Sequence, residues 1–466
     1  MRVDELDQIC LVPVHFEGDD EDEADDAAAP LTWAQVDHWK GIVEAGQAAT
    51  MGAAHRMPAG STIDEVADLL RFIVSRHQAL RTRLRFGVNG VVYQVCSATG
   101  TLELQVVEAG AADPDEFAEE WTTRLRQQPF DYQRDWPVRM AVITVQGEIS
   151  HVVTVYLHLA IDAGGLSALL ADVAERHPAT GAAAGPVTSL RPLELARKQG
   201  EPAALRRSAL ALRHLEHVMD TVNPAMLGRA RRSGPADYRA IRFRSPATKL
   251  ALERIAAEQA VTSATAMLAA YAVGLARHLQ ESTIWAMVLV GNRFRPGFGD
   301  SVSILVQSSP VLIEVGEVSL ATAVARSRAA LLQTYKSAYY SPDQRDALLA
   351  KLNRDRAAPL ELGCYYNDRR DDQPLGEQLI TAAQLDEAAA DGSWSEDFQH
   401  ALPRMTLFVN VDESPGAIDF PISFDSRYFE VDEIVQLARA IEAAAVQIAL
   451  TPEASIGMAA RHPQRV

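Results

Sequence analysis

Residues 151–168 read HVVTVYLHLAIDAGGLSA. Val152, Val153, Thr154, Val155 and Tyr156 form a β-branched, apolar run of the kind that packs as a buried strand. The run stops at His158, Asp162 follows, and Ala163-Gly164-Gly165 forms a Gly-rich turn. From Leu166 the segment LSALLADVAERH reads as an amphipathic helix. A buried strand that passes through a turn into a helix commits this part of the chain to mixed α and β structure. It also sets a histidine and an aspartate at a strand end, where folds most often place chemistry.

The flanking sequence extends that pattern. An edge strand is expected within residues 1–16, helices over 30–48, 63–76 and 114–128, and a strand at 138–145. Thr62 is the expected N-cap of the second helix, and Asn89-Gly90 marks a hairpin turn. The chain has 466 residues, too many for one ordinary core, so at least two domains are expected. The Ala-, Gly- and Pro-rich stretch 177–190 is the best boundary, giving an N-terminal part over 1–180 and a C-terminal part over 181–466. The second part repeats the theme. Helices are expected at 203–222, 246–258, 263–279, 318–336, 342–353 and 431–449, and strands at 283–290, 363–367, 404–411 and 418–425. Residues 304–315 read as a strand broken by Pro310, and 371–400 as a polar surface insertion. The tail after Leu450 reads as loose, and the fold class is α+β.

Composition narrows the function. Apolar residues make up 48% of the chain, enough for sizeable cores, while the formal net charge of -18 argues against nucleic acid or an anionic membrane as main partner. The acidic run 17–29 reads as a solvated loop, with a docking tail for a basic partner as the sharper alternative. Cys10, Cys96 and Cys364 are too sparse for a disulfide framework, and no CxxC pair supports a zinc site. No metal site is expected. Neither a signal peptide nor a membrane span is evident, so a cytoplasmic protein is expected. GxSxG, HExxH and GxxxxGK[ST] motifs are absent.

Five segments in order, RHQALRTRL (76–84), PFD (129–131), HLAIDAGG (158–165), GNR (291–293) and ILVQSSP (304–310), carry a resemblance. The chain resembles the condensation domains of nonribosomal peptide synthetases, within the coenzyme-A-dependent acyltransferase superfamily that includes chloramphenicol acetyltransferase. The likeness extends from TWAQ at 32–35 to the last helix. It implies two chloramphenicol-acetyltransferase-like lobes in a V, with the active site in a tunnel between them. The second lobe would include an interlobe linker and latch-like strands. The family motif HHxxxDG falls on Leu157-His158-Leu159-Ala160-Ile161-Asp162-Ala163, so two of its four signature positions are altered. The resemblance makes His158 the catalytic residue and Asp162 a structural partner of Arg293, which follows a second-lobe strand. Gln307 and Ser308 stand where the family has an Asn-containing segment; they, Leu157, Ala163, Gly164 and Gly165 are the tunnel candidates. Arg76, His77, Leu80, Arg81 and Thr82 match an early motif that is mainly structural. Leu157, one step from His158 along a strand, points away from it toward the core.

Acyl transfer from a thioester must remove a proton from the nucleophile, and an imidazole with pKa near 6.5 accepts one at neutral pH. The resemblance therefore implies a condensation enzyme, freestanding because the chain ends soon after its last helix. It would join a carrier-protein-bound acyl thioester to an amine or alcohol, in natural-product or antibiotic biosynthesis. No bound cofactor is expected; a carrier protein supplies the phosphopantetheine thioester as substrate. A catalytically inactive recruitment platform and an acyl-coenzyme-A-dependent acyltransferase are the alternatives. Because carriers of this family are usually acidic, docking is expected through a basic patch, with Arg206, Arg207, Arg229, Arg231 and Arg232 as candidates.

Overall fold

The apolar run at 151–157 is the end of a strand, Glu148–Leu157, buried on both faces. Val152 and Tyr156 pack into one cluster, with Leu70, Ile73, Leu104, Met140 and Leu169. Val153 and Val155 pack into another, with Phe117, Trp121 and Leu125. Two apolar faces explain a run of β-branched residues where a half-exposed strand would alternate.

The computed structural model describes residues 9–18, 27–177, 180–354, 356, 360–370, 380–397 and 405–457. Most of the acidic run, two ends of the 371–400 segment and the end of the C-terminal tail lie outside the described residues. The chain divides into two compact units, Met1–Leu205 with Gly291–Val306, and Arg206–Val290 with Gln307–Val466. The 177–190 stretch falls inside the first unit.

The first unit holds strands β1 (Ile9–Glu17), β2 (Ala27–Pro30), β3 (Thr50–Arg56), β4 (Thr82–Phe86), β5 (Val92–Cys96), β6 (Thr99–Glu108), β7 (Val138–Val145) and β8 (Glu148–Leu157). Five form a sheet in the order β1-β6-β7-β8-β3, and three a small sheet in the order β2-β5-β4. Among the described strands of the larger sheet, only β6 and β7 run parallel. The helices are α1 (Trp33–Ala45), α2 (Ile63–Arg76), α3 (Pro114–Gln127), α4 (Ala163–Ala174) and α5 (Pro192–Gln199). Leu70 and Ile73 of α2 and Leu169 of α4 cover one face of the sheet, and Phe117, Trp121 and Leu125 of α3 the other. Thr62 caps α2 as expected, in a reciprocal capping box with Glu65.

The second unit is entered by α6 (Pro202–Thr221). Its sheet has seven strands: β9 (Tyr238–Ser245), β10 (Thr283–Val290), β11 (Gln307–Glu314), β12 (Cys364–Asp368), β13 (Ser393–Glu396), β14 (Leu407–Ser414) and β15 (Ala417–Asp425). They lie in the order β11-β10-β12-β14-β15-β9-β13. Around them run α7 (Pro246–Gln259), α8 (Ser263–Leu279), α9 (Leu320–Ser337), α10 (Pro342–Asn353), α11 (Ala382–Ala390) and α12 (Val431–Leu450). Ile434, Leu437, Ala438, Ile441, Ala445 and Ile448 of α12 are all buried in the core of this unit. No single described helix is long and apolar enough to cross a membrane.

The architecture is mixed α and β, as the sequence predicts, with four local corrections. Pro310 does not break its strand: it pairs with Met287, and β11 lies at the sheet edge, where a missing N–H costs no ladder bond. The 371–400 segment is more than a surface insertion, because β13 pairs with β9 as the seventh strand. Helix α4 begins at Ala163, three residues before the expected Leu166, because Asp162 caps it. Strands β2 and β3 carry no pattern that announces them, whereas helix α5, with Pro192 at its start, Glu194 in its first turn and Arg197 and Lys198 in its last, carries helix signals that the expectations above do not include. Sequence TMGAAHR of β3 has neither alternation nor bulk, and β9 is disguised by Arg239, Arg242 and Arg244.

Candidate functional site

Strand β8 pairs with β3 up to Leu157–Thr50, and the His158 N–H extends the pairing to the Ala49 carbonyl at 3.0 Å. The chain then turns, with the Ala160 N–H donating to the Leu157 carbonyl at 2.9 Å. This turn brings Nδ1 of His158 to 2.9 Å from the Ile161 carbonyl oxygen. A carbonyl can only accept, so Nδ1 carries the proton. In the neutral ring Nε2 is then left with its lone pair, the tautomer a proton acceptor needs. Leu157 goes the other way, as the strand period requires. It is buried with Leu31, Ile42, Leu84, Phe130 and Leu159.

Asp162 is buried and takes no part in holding His158. Its Oδ1 accepts from the Gly165 N–H and from Arg293 Nη2, both at 2.7 Å. Its Oδ2 accepts from the Leu305 N–H at 2.7 Å and the Val306 N–H at 3.0 Å. Arg293 reaches on to the carbonyls of Ser301 at 2.8 Å, Ser303 at 3.1 Å and Gly299 at 3.2 Å. One ion pair thus ties the start of α4 to the loop 291–306. The expected bridge to a second-lobe residue takes a different form. Arg293 follows β10 of the second unit, and its loop belongs to the first unit.

The glycines after Asp162 answer to Arg293. A Cβ on Gly164 would sit 2.1 Å from Arg293 Nε, and one on Gly165 2.7 Å from the Ser303 carbonyl oxygen. Ala163, at the position where the family motif has Gly, is exposed, so its methyl group has room. The strict need for Gly is therefore at 164 and 165.

Gln307 and Ser308 open β11 in the second unit. Gln307 is buried and donates from Nε2 to the Tyr340 carbonyl at 2.9 Å, while the Tyr340 hydroxyl donates to the Ser308 carbonyl. The arginine candidates divide. Arg206, Arg207 and Arg229 are exposed. Arg231 pairs with Glu433 at 2.8 Å and Arg232 with Glu430, the two carboxylates that also build the capping box of α12. The side-chain bond to Glu433 holds the Arg231 guanidinium above its ordinary pKa.

Sequence reasoning missed one residue. His38, on α1, lies with its ring centroid 4.3 Å from that of His158, the planes inclined by 53°. Burial, and then the neighbouring His158, push the His38 pKa well below the usual imidazole value. At neutral pH this ring is uncharged. The one available signal was a histidine on the helix of the TWAQ segment, with nothing in its neighbourhood to pair it with His158.

The sequence matches the Condensation domain family over residues 27–460. No curated protein matches it. Among solved structures, the first condensation domain of the calcium-dependent antibiotic synthetase, in complex with a substrate analogue, matches with a TM-score of 0.69 at 16% identity, covering 94% of this chain and 99% of that one. The condensation domain of the Monacolin K polyketide synthase MokA matches with a TM-score of 0.72 at 15% identity, covering 93% of this chain and 100% of that one. The X-domain from teicoplanin biosynthesis, in complex with OxyB, matches with a TM-score of 0.67 at 16% identity, covering 93% and 97%. At these identities the likeness to structures speaks for the fold, and the family assignment rests on the sequence match across nearly the whole chain. The chain belongs to the condensation-domain family.

Proposed function

We propose that this protein condenses an acyl group, delivered as a phosphopantetheine thioester on an acyl or peptidyl carrier protein, with an amine or alcohol. His158 is the group that serves the reaction. The supporting observation is its Nδ1–H bond to the Ile161 carbonyl, which leaves Nε2 ready to accept. The acceptor's nitrogen or oxygen attacks the thioester carbonyl and passes its proton to Nε2. The carbon–sulfur bond then breaks, and the proton goes to the departing thiolate, so that an amide or ester and a free carrier thiol result. General-base help of this kind contributes about 10²- to 10⁴-fold in rate. Asp162 and Arg293 shape the site through the ion pair at 2.7 Å and do not handle the proton.

Carrier docking falls to Arg206, Arg207 and Arg229, since Arg231 and Arg232 already have carboxylate partners. The test is intact-protein mass spectrometry of a loaded carrier, with and without the enzyme and an amine or an alcohol. Loss of the acyl mass only with enzyme and acceptor supports the reading; a carrier that stays loaded with every acceptor overturns it. Acyl-coenzyme A offered beside the carrier thioester identifies the donor.

A second reading, a recruitment platform without turnover, draws on Leu157 and Ala163 at two motif positions and on the solved complex of a teicoplanin X-domain with OxyB. Carrier affinity that survives His158→Ala, with no turnover in either protein, would favour it.

A further inference from the structure

Nothing in the motif accounts for the second imidazole beside His158. His38 reaches that position from a helix that is fixed at both ends. Thr32 and Gln35 form a reciprocal capping box at its start, and Gly46 closes it in the left-handed conformation at φ 71°. The next residue, Trp39, lies edge-on to Tyr132 with centroids 5.2 Å apart and tilted against Phe86 at 5.5 Å. The helix cannot rotate without breaking these contacts, so His38 is held where it is. His158, by contrast, sits in a turn, and its own hydrogen bond restrains only one edge of the ring.

We propose that His38 is a positioning residue for His158: its ring backs the His158 ring and keeps Nε2 aimed at the acceptor. This rests on His158 being the base. Two protonated imidazoles with ring centroids 4.3 Å apart would repel. Burial disfavours the charged form of His38. With Leu157 turned into the core, His38 is the second histidine of this site, supplied from α1 instead of from the strand end.

The test compares His38→Ala, His38→Phe and His158→Ala with the wild type in carrier-to-acceptor transfer. The kinetics are read as kcat and KM for the loaded carrier. Positioning predicts that His38→Ala lowers kcat by between about ten- and a hundredfold at unchanged KM, the scale of a small misplacement of a reacting group. It further predicts that His38→Phe, which restores a ring but no titrating nitrogen, recovers most of the loss. Wild-type kcat in His38→Ala overturns the inference, as does a His38→Phe protein as slow as His38→Ala. If His158→Ala keeps full turnover, it is the base reading that fails, and the inference fails with it. If His158→Ala is dead while His38→Ala is unimpaired, only the inference fails. Imidazole NMR supplies a readout independent of turnover and is run on the folded variants. The wild type should show one Nδ1–H signal set for His158, and His38→Phe should keep it. His38→Ala should broaden or double the signals; an unchanged single set there overturns the positioning role.

Discussion

Asp162 places each carboxylate oxygen between two donors, and those donors come from α4, from Arg293 and from the backbone at Leu305 and Val306. Removing the carboxylate strands a largely buried guanidinium and three backbone N–H groups together. Breaking one partner of a buried pair costs about 3–5 kcal/mol. Asp162→Ala is therefore expected to lose about that much stability in urea unfolding and to be recovered poorly in the soluble fraction. His158→Ala should unfold at the wild-type denaturant midpoint and lose only transfer, by about 10²- to 10⁴-fold. A His158→Ala protein with full transfer rate would remove His158 from the mechanism. Gly164→Ala should resemble Asp162→Ala, since its methyl group occupies the place of Arg293 Nε. The pairing of Asp162 with Arg293 was legible in the sequence through the motif order, and the inward turn of Leu157 through the strand period. His38 was not, because ring contact between α1 and the end of β8 is a tertiary fact with no local signature.

At the scale of elements, legibility followed burial. Strand β8, covered on both faces, announced itself as an apolar run, and α12 did so through its apolar stripe. Strand β3, at a sheet edge and built from small residues, did not. Clustered charge misled in a similar way. The stretch Arg229 to Arg232 read as one basic surface, yet Arg231 and Arg232 are bound to the two carboxylates that start α12. A sequence shows where cations are dense but not which of them a distant helix has already paired. The arginines should accordingly separate in experiment. Charge reversal of Arg206, Arg207 and Arg229 together should weaken carrier binding about tenfold or more in low salt, with the effect shrinking as salt rises. Reversal of Arg231 and Arg232 should act chiefly on the fraying of the α12 terminus, measured as faster amide exchange there. Unchanged carrier affinity after the triple reversal would exclude these arginines as the docking site.

Across the whole molecule the two units carry separate cores, and each holds a group whose charged form burial disfavours. In the first unit burial lowers the pKa of His38, so its contribution to stability is fully present above the unfolded imidazole value near 6.5 and is lost as pH falls through the lower folded value. In the second unit Glu442 of α12 is buried, and burial raises its pKa against the opposing hydrogen bond from Ser245. Its sign is the reverse. Stability is fully present below the unfolded carboxylate value and is lost as pH rises through the raised folded value, because the charged form must then be kept out of water. Glu442→Gln retains an acceptor for the Ser245 hydroxyl and removes the charge. It should therefore raise the unfolding temperature at pH 7.5 and make little difference at pH 4. Because Ser245 ends β9 and Glu442 lies on α12, the gain should appear as added amide protection in those two segments, leaving α2 and β8 as they were. Equal protection gains in both units would mean that the two cores unfold as one. No gain at pH 7.5 would mean that the Ser245 bond fully offsets the burial of the charge.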